Sequence, residues 1–213
     1  MPDINAEELL EKAWDEFRRD YDERVREYSE SLGREDEEKA KKEHWILWNE
    51  ADLMVQLGRY TYDHLARNSP SAVEMHFEKN LTRANFEGYD FEGSLDELKK
   101  RLKRKQGPKV DLIIVQENSL GRFLLCAEAK FFHCSEESIS RGKRTAKTAI
   151  EKDIETLVAI RDLGIAERVI FILFDDYYWI RNEDIESFVE NACKEHKIIP
   201  LMHNSKAKVE PWK

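Results

Sequence analysis

Two apolar runs dominate the middle of the chain, VDLIIVQ at 110–116 and RFLLCAEAKF at 122–131. The five residues between them, ENSLG, read as a turn. That connection is too short for a parallel crossover, so the runs predict an antiparallel hairpin. Three charges sit inside this apolar pair: Asp111 on the first strand, Glu128 and Lys130 on the second. Positions 128 and 130 leave the same face of a strand, while Ala127, Ala129 and Phe131 leave the other. LIIV and FLLC are apolar enough to be core strands. A charged Glu-x-Lys in such a place must be paired or must bind something, because an unpaired buried charge is very costly.

The other elements follow from periodicity. Leu10, Trp14, Phe17, Tyr21, Val25, Tyr28 and Leu32 form a stripe at three- and four-residue steps, which predicts a helix over 6–32 that stops at Gly33. A second helical stretch runs from about Asp36 to His64, before the breaker Asn68-Ser69-Pro70. Residues 72–79, AVEMHFEK, alternate as a half-buried strand. A short helix is expected near Leu95–Lys105, ended by Gln106-Gly107-Pro108. After the hairpin come a helix over 137–163, a buried strand at 168–174, the helix DIESFVENACKEH and a last strand KIIPLM. The order implies one α/β domain over 36–213 with an N-terminal helical arm over 1–35.

A chain of 213 residues can bury a core without disulfide or metal staples. Charged residues make up 37%, which suits long solvated helices. The net charge of −9 argues at first against a nucleic-acid partner, but its distribution is uneven. Residues 1–50 carry 17 acidic and 9 basic groups, a net of −8, and residues 51–213 carry 27 and 26, a net of −1. A nearly neutral body can present a local basic face. Cys126, Cys134 and Cys193 form no CxxC pair, so a disulfide framework or structural zinc site is not expected. Cys126 and Cys134 with His133 have no usual zinc spacing and lack a fourth ligand. The polar start MPDINAEELL is not a signal peptide, and no apolar run is long enough to span a bilayer. The expected location is the cytoplasm, with no membrane partner.

Two carboxylates beside a lysine suit a hard cation such as Mg²⁺, which takes oxygen ligands and retains waters for its substrate. Pro108-Lys109-Val110-Asp111 followed by Glu128-Ala129-Lys130 resembles the signature of the PD-(D/E)XK nuclease superfamily. The proline stands three residues before the aspartate instead of next to it. The resemblance implies a restriction-endonuclease-like αβββαβ core over roughly residues 45–175, with a mixed central sheet flanked by helices. It implies metal held by Asp111 and Glu128, and Lys130 as the residue that positions the attacking water. Many members carry another glutamate on the first core helix, and Glu50 in WNEADL matches that position. The activity implied is Mg²⁺-dependent hydrolysis of DNA, with Mn²⁺ as a substitute and RNA a less favoured substrate. The alternative is a nucleic-acid-binding or assembly module that keeps the fold without turnover.

Two basic clusters flank the motif. One holds Lys99, Lys100, Arg101, Lys103, Arg104, Lys105 and Lys109; the other holds Arg141, Lys143, Arg144 and Lys147. Beside a metal site such charges read as phosphate-backbone contacts. The apolar stripe of the arm must be covered by the body or by a second copy of the chain, and a homodimer is the expectation. Lys152-Asp153, on the helix after the motif, either reaches the site or pairs with its neighbours.

Overall fold

The computed structural model of the chain describes residues 5–31, 47, 49–68, 73–82, 86, 92–116, 121–132, 136–175 and 183–204. In chain order the elements are α1 (Ala6–Ser31), α2 (Glu50–Asn68), β1 (Val73–Asn80), α3 (Glu92–Arg101), β2 (Lys109–Gln116), β3 (Phe123–Phe132), α4 (Glu136–Asp162), β4 (Ala166–Asp175), α5 (Glu183–His196) and β5 (Ile199–Asn204). The strands form one mixed sheet in the order β1-β2-β3-β4-β5. β2 is antiparallel to both of its neighbours, β1 and β3, and β4 and β5 run parallel to β3. The expected hairpin of β2 and β3 is therefore present. The long crossover through α4 makes β4 parallel to β3. Pro200, which cannot donate to a ladder, lies on the edge strand β5, where that loss is tolerated.

Side-chain alternation along the strands supplies two cores. Ile113, Val115, Cys126, Phe171 and Leu173 pack with Leu95 and Leu98 of α3, Ile150, Ile154 and Leu157 of α4, and Ile185, Val189 and Cys193 of α5. Leu112, Ile114, Ala127, Ala129, Ile170, Ile172 and Phe174 pack on the other face with α1 and with Leu53, Met54 and Leu57 of α2. Helices thus cover both faces of the sheet. Phe174 is the hub of the second core: its ring meets Trp14, Tyr21 and His203 at centroid distances of 6.1, 5.0 and 4.3 Å.

The stripe of α1 is buried from Leu10 to Val25 against this same core, so its cover comes from within the chain. Tyr28 departs from the expectation and is exposed, because α1 has by then run past the sheet. Polar contacts reinforce the docking: Tyr60 Oη donates to Asp20 at 3.0 Å, and His64 Nε2 lies 3.2 Å from Glu16. α2 differs from the expected 36–64. Its N-cap is Asn49, whose Oδ1 accepts from the Asp52 N–H at 2.9 Å, and the helix runs on to Asn68, the first residue of the breaker. Residues 36–46 and 48 of that expected helix lie outside the described residues, as do Leu32 and the expected stop at Gly33.

Helices α3, α4 and α5 share one ending, in which a left-handed residue follows the last turn: Lys103 (φ 52), Gly164 (φ 66) and Lys197 (φ 54). The amides of Arg104, Ile165 and Ile198 then reach back to the carbonyls of Lys99, Ile160 and Cys193. Gly107 has a different task. A Cβ there would collide with the Leu81 carbonyl, so only glycine lets the start of β2 pass the end of β1. This close approach sits four residues before Asp111. No helix among the described residues is long and apolar enough to cross a membrane.

Candidate active site

Asp111 begins the buried part of β2, and the pairing Leu112↔Ala127 sets it across from Glu128 on β3. Both are 5% exposed. Asp111 Oδ2 accepts the Ala129 N–H at 2.8 Å, which ties the first carboxylate to the strand carrying the other motif residues. Glu128 shares a side-chain hydrogen bond with Asp111, and burial, then the charges of Asp111 and Asp153, push its carboxyl well above the usual carboxylate range.

Lys130 stands two residues on, at the C-terminal end of β3. Its Nζ donates to the Ala129 carbonyl at 2.9 Å and to Glu50 Oε2 at 3.3 Å. It also lies 2.8 Å from Asp153 Oδ2 on α4, outside hydrogen-bond alignment, so that contact is an ion pair. Burial opposes the ammonium form, but Asp153 and Glu50 outweigh it and hold the Lys130 pKa well up. Burial raises the carboxyls of Glu50 and Asp153, and Lys130 pulls both part of the way back. Glu50, the first residue of α2, also accepts the Phe131 backbone N–H.

The four expected site residues thus meet at one end of the sheet. Sequence reading left Asp153 undecided, and the structure puts it at the Lys130 ammonium. Its signal was an acid within the stripe Ile150, Ile154 and Leu157, which α4 buries. Cys126, on the same face of β3 two residues before Glu128, is fully buried, and burial pushes its thiol up. His133 and Cys134 lie outside the described residues.

The basic clusters separate. Lys99 and Lys100 pair with Asp96 and Glu97 on their own helix, Arg101 pairs with Asp162 of α4 at 2.8 Å, and Lys109 pairs with Glu78. Lys103, Arg104 and Lys105 are exposed, and the positive charge of Arg104 is felt at Asp153. Arg104 is the member of the run that communicates with the site. In the second cluster, Lys147 holds its ammonium 5.3 Å from the centroid of the Phe188 ring on α5. The side chains of Arg141, Lys143 and Arg144 lie outside the described residues.

Among the described residues no three His, Cys, Asp or Glu side chains stand together as a finished metal-ligand group. The donor chemistry nevertheless suits a hard cation. Asp111, Glu128, Glu50 and Asp153 supply four carboxyls, and Lys130 is the one ammonium they surround. That acid surplus pushes the Glu128 carboxyl up, and a divalent cation at Asp111 and Glu128 would relieve it. Comparison with protein families, with curated proteins and with solved structures finds no match in any of the three.

Proposed function

We propose that this protein is a divalent-cation-dependent nuclease that hydrolyses DNA phosphodiester bonds, with Asp111, Glu128, Lys130 and Glu50 as its working residues. One observation carries the reading: residues from α2, β2 and β3, up to 80 positions apart in sequence, gather their charges in one buried cluster at the end of the sheet. The sequence from α2 through β1, β2, β3 and α4 to β4, with β1–β3 antiparallel and β4 parallel to β3, supports a restriction-endonuclease-like core.

Asp111 and Glu128 would hold Mg²⁺, or Mn²⁺ in its place, with Glu50 as a further carboxylate. That cation would polarise a phosphoryl oxygen and make a water more acidic. The chain's own contribution is position and charge. The Asp111 bond to the Ala129 N–H fixes the spacing of β2 and β3 at the site. Lys130, held on its carboxylates, presents a positive charge where negative charge develops on the phosphate, and its N–H groups can orient the attacking water. Arg104 lies exposed with its charge felt at Asp153, where it could meet a phosphate backbone.

Calorimetric Mn²⁺ titration paired with plasmid and oligonucleotide cleavage tests the reading. Metal-dependent cleavage that disappears in Asp111→Ala and Lys130→Ala is the expected result. Mn²⁺ binding and DNA binding without cleavage under any divalent metal would instead leave the non-catalytic nucleic-acid-binding module.

A further inference from the structure

We propose that Asp153 is a positioning residue, the carboxylate that holds the Lys130 ammonium in its working place while Glu50 serves the cation. This rests on the nuclease reading above. Lys130 lies between two carboxylates that reach it from opposite sides of the sheet, Glu50 from α2 and Asp153 from α4. The two are not equivalent. Glu50 is the first residue of its helix, its side chain is 33% exposed, and its contact with Nζ is the longer one at 3.3 Å. Asp153 lies in the second half of a 27-residue helix, its side chain is 19% exposed, and its Oδ2 is 2.8 Å from Nζ.

The neighbours of Asp153 fix it further. Ile150, Ile154 and Leu157, on the same face of α4, are fully or almost fully buried in the core beneath the sheet. Asp153 is a short side chain on this buried face and has less room to swing away from Lys130 than Glu50, which starts its helix. A cation that draws Glu50 toward Asp111 and Glu128 would leave Lys130 on Asp153 alone. The lysine then stays beside the metal site and does not swing into solvent.

The experiment uses the full chain, with Asp153→Asn and Asp153→Glu alone and combined with Lys130→Met. Cleavage of a DNA oligonucleotide is measured across a Mn²⁺ titration. Asp153→Asn should lower the rate at saturating Mn²⁺ about 10–100-fold, the range for residues that orient a working group. The Mn²⁺ half-saturation should stay within about twofold of the parent, and Asp153→Glu should recover part of the rate. Lys130→Met should itself abolish cleavage, so its combination with Asp153→Asn is read by stability. Urea unfolding of the parent, Lys130→Met, Asp153→Asn and their combination, without metal, supplies a readout independent of activity: the losses from Lys130→Met and Asp153→Asn should be non-additive, as for residues in direct contact. A rate that returns to the parent's at high Mn²⁺ would make Asp153 a ligand and overturn the proposal. So would an unchanged rate, or additive stability losses. Should the parent leave DNA intact under every divalent metal, the nuclease reading falls, and the unfolding cycle alone decides whether Asp153 holds Lys130.

Discussion

Replacing Lys130 by methionine removes the ammonium around which Glu50, Asp111, Glu128 and Asp153 are arranged, and it keeps the stem that packs at the strand end. Deleting one partner of a fully buried ion pair costs about 3–5 kcal/mol. Here the lysine and Asp153 each retain 19% side-chain exposure and Glu50 retains 33%, so water recovers part of the loss. A cost of about 2 kcal/mol at pH 7.5 is the expectation, which for a chain of this length lowers Tm by roughly 4–8 °C. The loss should depend on pH in a defined sense. Lys130 has a raised folded pKa, so its contribution is fully present below the unfolded lysine value of about 10.4 and does not change between pH 5 and 7.5. Burial raises Glu50 and Asp153, and without Lys130 they rise further. A raised carboxyl favours folding below its unfolded pKa and loses that stability as pH climbs through its folded pKa. Lys130→Met should therefore lose less at pH 5 than at pH 7.5, because the raised carboxyls of Glu50 and Asp153 take up protons more readily as pH falls. Urea and thermal unfolding of both chains at the two pH values, in low salt, measure this. Equal stability at pH 7.5, or the same loss at both values, would show that the lysine does not neutralise the cluster.

Phe174→Ala should cost about 3–5 kcal/mol in urea unfolding, since the ring is fully buried at the junction of α1, β3 and β5. Lys197→Gly should stabilise the chain by about 0.5–1 kcal/mol, because a side chain at φ 54 carries a strain that glycine lacks; an unchanged urea midpoint would count against it. Burial pushes the Cys193 thiol up to about 12 and the Cys126 thiol up as well, so both should resist an aromatic disulfide reagent at pH 8 until denaturant is added. Arg104→Ala should weaken DNA binding and reduce the salt slope by about one, whereas Arg101→Ala, whose charge is spent on Asp162, should leave the slope alone.

The site was legible where a charge broke an apolar pattern. Asp111, Glu128 and Lys130 stood out because strands that read LIIV and FLLC give a charged residue no cheap place. Asp153 obeys the same rule at helical spacing, but its neighbours Lys152 and Glu151 hid it, since a charged triplet in a charged chain reads as surface. The antiparallel hairpin followed from loop length, and the order of elements along the chain from periodicity. Helix limits were less legible. The expected helix from Asp36 masked the start at Asn49, because an asparagine cap is decided by one hydrogen bond that periodicity does not register. The basic clusters were the least legible, because sequence counts charges and says nothing of partners. Of the first run, Lys99, Lys100, Arg101 and Lys109 are each committed to a carboxylate.

The two cores of this protein are separated by the sheet, and the charged cluster is where they are joined. α2 belongs to one core and α4 to the other, yet both send a carboxylate to the same ammonium at the end of β3. Such a junction needs a residue long enough to reach past the strand end, and lysine supplies it with an apolar stem and a single point charge. Arginine would spread its charge over a planar fork and could not serve two carboxylates and a backbone carbonyl from one atom. The same geometry sets a limit on variation: a shift of either helix changes one arm of the Lys130 contacts and leaves the other. The position of the ammonium therefore reports on the packing of both cores, and a change deep in either should be felt first at this end of the sheet.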